Sequence, residues 1–199
     1  PETGRYALGA KALHLAESYL DQMDLRRVVR PALERLSQET GETANLVIQD
    51  QREALYLDKV ESPQSLRIFS RIGRRAPLHC TAVGKVLLAY RPKAQLEALL
   101  GRGPLERLTK HTISSMSQLR RELEKVRDQG FALDREECEE GACCIAVPIF
   151  NAQGDVDAAL GISAPTTRLT PRRMEELIPM MLRTGREVSA QLGFSGPAR

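Results

Sequence analysis

Apolar positions along the chain keep two different periods, and the places where the period changes divide it into elements. From Ala10 to Met23, Ala12, Leu13, Ala16, Tyr19, Leu20 and Met23 recur at helical spacing. A second helix is predicted from Asp24, as N-cap, to Gly41, just past its end, with Leu25, Val28, Val29, Ala32, Leu33 and Leu36 on one face. Pro31 is expected to kink it without ending it. The period then drops to two. Ala44 to Asp50 and Ala54 to Val60 flank the polar Gln51-Arg52, the pattern of a hairpin. Leu66, Ile68, Ser70 and Ile72 alternate with Arg67, Phe69 and Arg71, which predicts a strand with Ile68 and Ser70 facing one interior.

Between Gly73 and Tyr90 a basic turn leads through Pro77 into a short helix. Thr81 is its expected N-cap, and Val83, Val86, Leu87 and Tyr90 share one face. The N–H groups of Ala82 to Gly84 would point out of that helix start, where a carboxylate or phosphate is favoured, and Gly84 would allow close approach. An ordinary capped helix packed on a sheet is the plainer reading of the same residues.

The remaining pattern is a short helix from Pro92 to Leu100, then one opened by a Ser115–Gln118 capping box and closed by Gly130, with Met116, Leu119, Leu123 and Val126 inward. Phe131 to Asp134 reads as a short strand, and Glu136 to Gly141 as an acidic loop. Cys143 to Phe150 and Val156 to Ser163 read as hairpin partners across the turn Asn151 to Asp155. Thr170-Pro171 then opens a long C-terminal helix with Met174, Leu177, Ile178, Met181, Leu182, Val188 and Leu192 inward. Hairpins in place of βαβ units predict an α+β domain on a mainly antiparallel sheet flanked by helices.

Composition narrows this picture. With 199 residues, 42% hydrophobic, no Trp and 4% aromatic, the chain builds its core from aliphatic side chains. A net charge of +3 without a basic run marks no nucleic-acid face. No long apolar span or signal-peptide pattern is present, so a soluble, cytoplasmic protein is expected, with no membrane partner. The four cysteines, Cys80, Cys138, Cys143 and Cys144, form no CxxC pair and are expected to be reduced thiols. Structural-zinc spacings are absent. His79 beside Cys80 invites a Cys/His hydrolase reading, but adjacent residues point apart and no orienting acid is evident. A regulatory metal held by Asp134, Cys144 and His79 stays open. Arg67, Arg71, Arg74 and Arg75 read as a solvated strand edge, or as a mouth that attracts acids or an inter-subunit contact.

Three stretches together carry a resemblance: Arg74-Arg75-Ala76-Pro77-Leu78-His79-Cys80-Thr81-Ala82-Val83-Gly84-Lys85, Gly130-Phe131-Ala132-Leu133-Asp134-Arg135-Glu136-Glu137, and Cys144-Ile145-Ala146-Val147-Pro148-Ile149. With Gly161-Ile162-Ser163-Ala164-Pro165 and Arg168-Leu169-Thr170, this order resembles the effector-binding domain of IclR-type bacterial transcription regulators. The resemblance implies a GAF-like α+β effector domain over residues 24–193, preceded by the end of a DNA-binding wing and a linker helix (1–23) and followed by a tail (194–199). Most of the winged helix-turn-helix would lie outside this chain, which on this reading is a fragment.

What the resemblance implies is a ligand-sensing repressor or activator, not an enzyme, working as a dimer or tetramer on DNA, with no cofactor, no catalytic residue and no resident metal. Its effector would be a small organic acid surrounded by Ile68, Ala82, Val83, Asp134, Ala142, Cys144, Gly161 and Ser163. Helix-start amides and the Ser163 hydroxyl suit a carboxylate. Asp134 suits a ligand hydroxyl, or is itself protonated, so the expected effector is a keto or sugar acid. The scarcity of aromatic residues near the site points the same way. Some relatives carry serine at Gly161 and asparagine at Cys143, which suggests a roomier pocket here. A thiol- or metal-responsive sensor on the same fold is the alternative, and a cysteine-dependent hydrolase the more distant one.

Overall fold

Six strands pair edge to edge into one antiparallel sheet. We describe residues 9, 11, 12, 15, 24–101 and 103–196 of a computed structural model. The elements are α1 (Asp24–Thr40), β1 (Thr43–Asp50), β2 (Glu53–Val60), β3 (Arg75–Pro77), α2 (Ala82–Ala89), α3 (Lys93–Leu100), α4 (Met116–Gln129), β4 (Ala132–Arg135), β5 (Ala142–Phe150), β6 (Val156–Pro165) and α5 (Pro171–Gln191). The strand order is β3-β2-β1-β6-β5-β4. The α+β fold on an antiparallel sheet is therefore as expected. Residues 11, 12 and 15 are helical; the wing strand and the rest of the linker helix expected over 1–23 lie outside the described residues.

Local sequence sets most element ends. Thr81 Oγ1 accepts from Gly84 N at 3.1 Å, Ser115 Oγ from Gln118 N at 3.2 Å and Thr170 Oγ1 from Arg173 N at 3.3 Å, so each caps the helix that follows. Gly130, in the left-handed conformation with φ 78°, closes α4 where a side chain would be strained. Pro31 and Pro179 sit inside α1 and α5 without ending them.

The sheet has helices on both faces. On one, α1 and α5 bury Val29, Leu33, Leu36, Met174, Leu177 and Met181 against Leu46, Ile145, Val147, Leu160 and Ile162. Each such side chain contributes about 1.5–3 kcal/mol by leaving water. On the other face, α2, α3 and α4 bury Val86, Leu87, Leu96, Leu119, Leu123 and Val126 against Val47, Ala132, Ala146 and Ala159. No helix among the described residues is long and apolar enough to cross a membrane.

Two expectations are corrected. Residues 66–72 form no strand; they run as an irregular segment in which Leu66 and Phe69 are 67% and 70% exposed. The free edge of β2 is taken instead by β3, which pairs with Glu53–Leu55, and by backbone bonds from Tyr56 to Gly73 and Arg74. Alternation without a partner edge makes no strand. The second correction concerns α2, which does not turn one apolar face inward: all eight of its residues are buried, Lys85 included. Gly84 does permit a close approach, but by the chain itself, since a Cβ there would lie 2.3 Å from Leu78 O.

Candidate functional site

Alternation along the strands decides which residues share the face under α2. On β5, Cys143, Ile145, Val147 and Ile149 face α1 and α5, which turns Ala142, Cys144 and Ala146 toward α2. By the same parity Asp134 on β4, Gly161 and Ser163 on β6 and Asn45 on β1 look toward α2. Register then sets them side by side: Asp134 pairs with Cys144, Cys144 with Ser163, and Gly161 with Asn45. A polar row thus crosses four strands at one end of an otherwise apolar face.

Its members bond to one another. Asn45 Nδ2 donates to Ser163 Oγ at 3.3 Å, Cys144 Sγ donates to the same oxygen at 3.2 Å, and Ser70 Oγ donates to Asn45 Oδ1 at 3.0 Å. Having accepted twice, the Ser163 hydroxyl keeps its proton to donate. The α2 start lies over this row, for Val83 Cγ1 stands 2.9 Å from where a Gly161 Cβ would be. With Thr81 bonded to Gly84 N, the Ala82 and Val83 N–H groups are the ones directed out of that helix start.

Asp134 is 2% exposed, so it is no solvated turn residue. Burial is the main force lifting its carboxyl, to about 7, against the N–H bonds it accepts from Glu137 and Cys138. The nearby Glu137 carboxylate adds to the rise and Lys85 opposes it. Lys85 Nζ bonds Glu137 Oε1, an ion pair buried under α2, while Glu137 Oε2 has no partner. Thr109 and Thr112 pin the acidic loop by donating to Glu136 O and Glu137 O, both at 2.6 Å.

Of the eight residues expected to surround a ligand, Asp134, Ala142, Cys144, Gly161 and Ser163 share the sheet face, with Ala82 and Val83 at the helix start above. Ile68 is half-buried on the irregular segment, which reaches the row through Ser70. The space left by Gly161 is filled by Val83. Of the four arginines considered as a mouth, Arg74 bears on the site, since its charge acts on Cys138 and Tyr56. Arg67 pairs with Glu61, and Arg75 with Asp50 and Glu53. His79 Nε2 is bonded to Glu106 O at 2.9 Å, and no group of three metal-ligating side chains occurs among the described residues. The metal reading through His79 therefore loses its third ligand.

Sequence reasoning passed over two residues here. Asn45 interrupts the apolar run Ala44-Asn45-Leu46-Val47 at an inward position, a signal visible in the sequence. Tyr56 is half-buried near Cys144, Cys138 and Asp134, and desolvation is the main force pushing its phenol up. The site is therefore not free of aromatics. Away from it, an apolar cleft of about 240 Å³ opens beside the other end of β5, lined by Tyr90, Phe150, Leu182 and Phe194.

With this geometry in hand, known proteins can be set beside the chain. The family model described as bacterial transcriptional regulator IclR C-terminal matches residues 17–190. The HTH-type transcriptional regulator KdgR of Escherichia coli is 41% identical over 193 residues, covering 97% of this chain and 73% of that protein. The crystal structure of the Thermotoga maritima IclR superposes with a TM-score of 0.87 at 35% identity, covering 98% of this chain and 78% of that one. A double mutant of the PobR inducer-binding domain from Acinetobacter, solved with 3-hydroxybenzoic acid, superposes with a TM-score of 0.76 at 31% identity, covering 84% and 98% of the two chains.

Proposed function

The chain belongs to the IclR family of bacterial transcriptional regulators, as their ligand-binding regulatory domain, and from that premise we propose that the polar row under α2 binds a small hydroxy or keto acid. The observation that carries this is the raised Asp134 carboxyl in one row with the Ser163 hydroxyl, two strands away across Cys144, under two helix-start amides. The amides and Ser163 hold the ligand carboxylate. Asp134, when protonated, donates to a ligand oxygen, and when ionised it accepts from a ligand hydroxyl. Asn45 offers an amide to the same end of the row. The complex of the PobR domain with an aromatic hydroxy acid supports acids as the chemical class.

On this reading the acid acts by differential affinity for two arrangements of the attached DNA readers. The end of the DNA-binding wing lies before Ala10, the segment 10–23 links it to the domain, and the protein works in the cytoplasm as a dimer or tetramer.

Thermal melts of the chain with pyruvate, gluconate and 3-hydroxybenzoate test the reading. A ligand bound only by the folded state adds about 2.7 kcal/mol of stability at a hundredfold excess over Kd and so raises the melting temperature. The expected result is a rise with pyruvate or gluconate that is lost in Ser163→Ala and Asp134→Ala. A rise that persists in both variants would place the acid elsewhere, and a rise confined to 3-hydroxybenzoate would make the effector aromatic.

A further inference from the structure

Along β2 the alternation of faces is broken once. Leu46 of β1 pairs with Asp58 and the next residue, Val47, with Tyr56, so Leu57 is an extra residue in the strand, a bulge. Leu46 lies in the layer of α1 and α5, and Val47 in the layer of α2. Cross-strand partners stand on the same face of a sheet. Asp58 is therefore turned toward α1, while Lys59, opposite Asn45, is turned toward the polar row. Without the bulge Asp58 would share the face of Tyr56.

Hydrogen bonds run through this point from one layer to the other. On the side of the row, Asn45 Nδ2 donates to Ser163 Oγ at 3.3 Å, and Asn45 Oδ1 accepts from Ser70 Oγ at 3.0 Å. The Ser70 carbonyl accepts in turn from Lys59 Nζ. On the side of α1, Asp58 Oδ1 accepts from Lys59 N at 2.8 Å and from Arg30 Nη1 at 3.0 Å. The same Arg30 nitrogen donates to Lys59 O at 3.2 Å, and Arg26 Nε stands 3.2 Å from Asp58 Oδ2. Asp58 is fully buried, so both arginines face a charge that salt screens little. They lie one turn apart in the first half of α1, the helix that follows the segment 10–23.

We propose that the β2 bulge carries occupancy of the polar row to the start of α1, with Ser70, Lys59, Asp58 and Arg30 as successive links. The trigger rests on the acid-binding reading; the coupling across the sheet does not.

The Asn45 amide is planar, so its oxygen and nitrogen move together. An acid that accepts from Nδ2 in place of Ser163 turns the group, and with it the oxygen to which Ser70 is bonded. Ser70 can follow, because residues 61–74 join no strand. Side chains hold that segment by its carbonyls, Arg168 Nη1 on Leu66 O at 2.8 Å and Arg74 Nη1 on Phe69 O at 2.7 Å. Lys59 is instead fixed in β2, and a shift of Ser70 draws on its ammonium while its backbone holds Asp58 and Arg30. The acid then binds two arrangements of α1 unequally. By reciprocity, a change at Arg30 must alter acid affinity, although Arg30 lies on the far face of the sheet.

Two measurements on the whole chain test this. Urea unfolding of the parent, Ser163→Ala, Arg30→Met and the double variant gives the coupling between the two faces. The Arg30 side chain is 42% exposed, so its replacement leaves no buried void. Independent sites add to within about a factor of two in the unfolding equilibrium constant, and a coupling of about threefold or more is expected here. Lys59→Met in all four chains should abolish it, which a merely structural Arg30 would not do. Arg35→Met, on the same helix but paired with Glu187, should add independently to Ser163→Ala. In pyruvate and gluconate titrations, Arg30→Met should change Kd several-fold and Arg35→Met should leave it unchanged. Additive effects of Ser163→Ala and Arg30→Met, or a coupling that survives Lys59→Met, would overturn the proposal. A coupling with unchanged acid affinity would refute the link to the ligand. Failure of the parent chain to bind either acid would refute the acid reading and leave the coupling to stand on the urea data.

Discussion

The two faces of the sheet are built from alternate residues of the same strands, and they have opposite characters. Toward α1 and α5 stand Leu46, Ile145, Leu160 and Ile162, large, aliphatic and without a polar atom. One residue away, toward α2, stand Asn45, Cys144, Gly161 and Ser163, small or polar, with Asp134 completing the row. The first face excludes water and fills volume. The second keeps a buried carboxyl near its titration point and leaves Glu137 Oε2 without a partner, features a packing core avoids. Both are tolerable because the aliphatic face lies directly beneath. A polar row can be carried on half of a sheet when the other half supplies the stability.

The contrast is sharpest between neighbours. Ile162 and Ser163 are adjacent on β6 and both buried, yet they face opposite layers. Ile162→Ala removes fully buried carbons from close packing and should lower the unfolding free energy by about 2–5 kcal/mol. Ser163→Ala removes a hydroxyl that accepts from Asn45 and Cys144 and should cost about 1 kcal/mol. Urea titrations of both variants, combined with the acid-binding melts, would show one losing stability and the other losing response. Equal losses of stability would mean that the polar row is part of the scaffold.

Asp134 breaks the comparison by pH. Its folded carboxyl is held at about 7, against an ordinary 3.8, chiefly by burial. Between those values the folded chain binds more protons than the unfolded chain. The contribution of Asp134 is therefore fully present below the unfolded value and is lost as pH rises through the folded one. Asp134→Asn should flatten this slope and gain on the parent chain, on the order of 1–3 kcal/mol, between pH 4 and 8. Urea midpoints across that range read it directly. Parallel pH profiles for the two chains would mean that the carboxyl is solvated in solution.

How much of this was legible in the sequence depends on the range of the physics. Helix caps at Thr81, Ser115 and Thr170, the left-handed Gly130 and the two hairpins are local, set by a few consecutive residues, and they read directly. The segment 66–72 alternates like a strand but has no edge to join, because β3, only Arg75–Pro77, reaches β2 first; local pattern cannot reveal that competition. Lys85 looks like a surface residue until Glu137 is brought under the same helix by β4 and the acidic loop. The residues proposed to surround a ligand were named through the order of several motifs, but their lateral order across four strands comes from register alone.

Gly161 gives the finest distinction between the faces. From sequence, a glycine on β6 suggests spare room for a ligand; in the fold that room holds Val83 Cγ1, 2.9 Å from where a Cβ would sit, with Ile145 O at 3.4 Å. Gly161→Ser must therefore move the start of α2, and about 1–2 kcal/mol of destabilisation is expected from such overpacking. Val83→Ala should relieve it, so the double variant should recover stability relative to the sum of the two single losses, a coupling that urea midpoints of the four chains measure. The same shift would carry the Ala82 and Val83 amides away from Ser163, so Gly161→Ser should also weaken pyruvate and gluconate binding, and Val83→Ala should restore part of it. Additive stabilities with an altered choice of acid would instead assign the notch to the ligand, and would move the boundary between packing and chemistry from Val83 to Gly161.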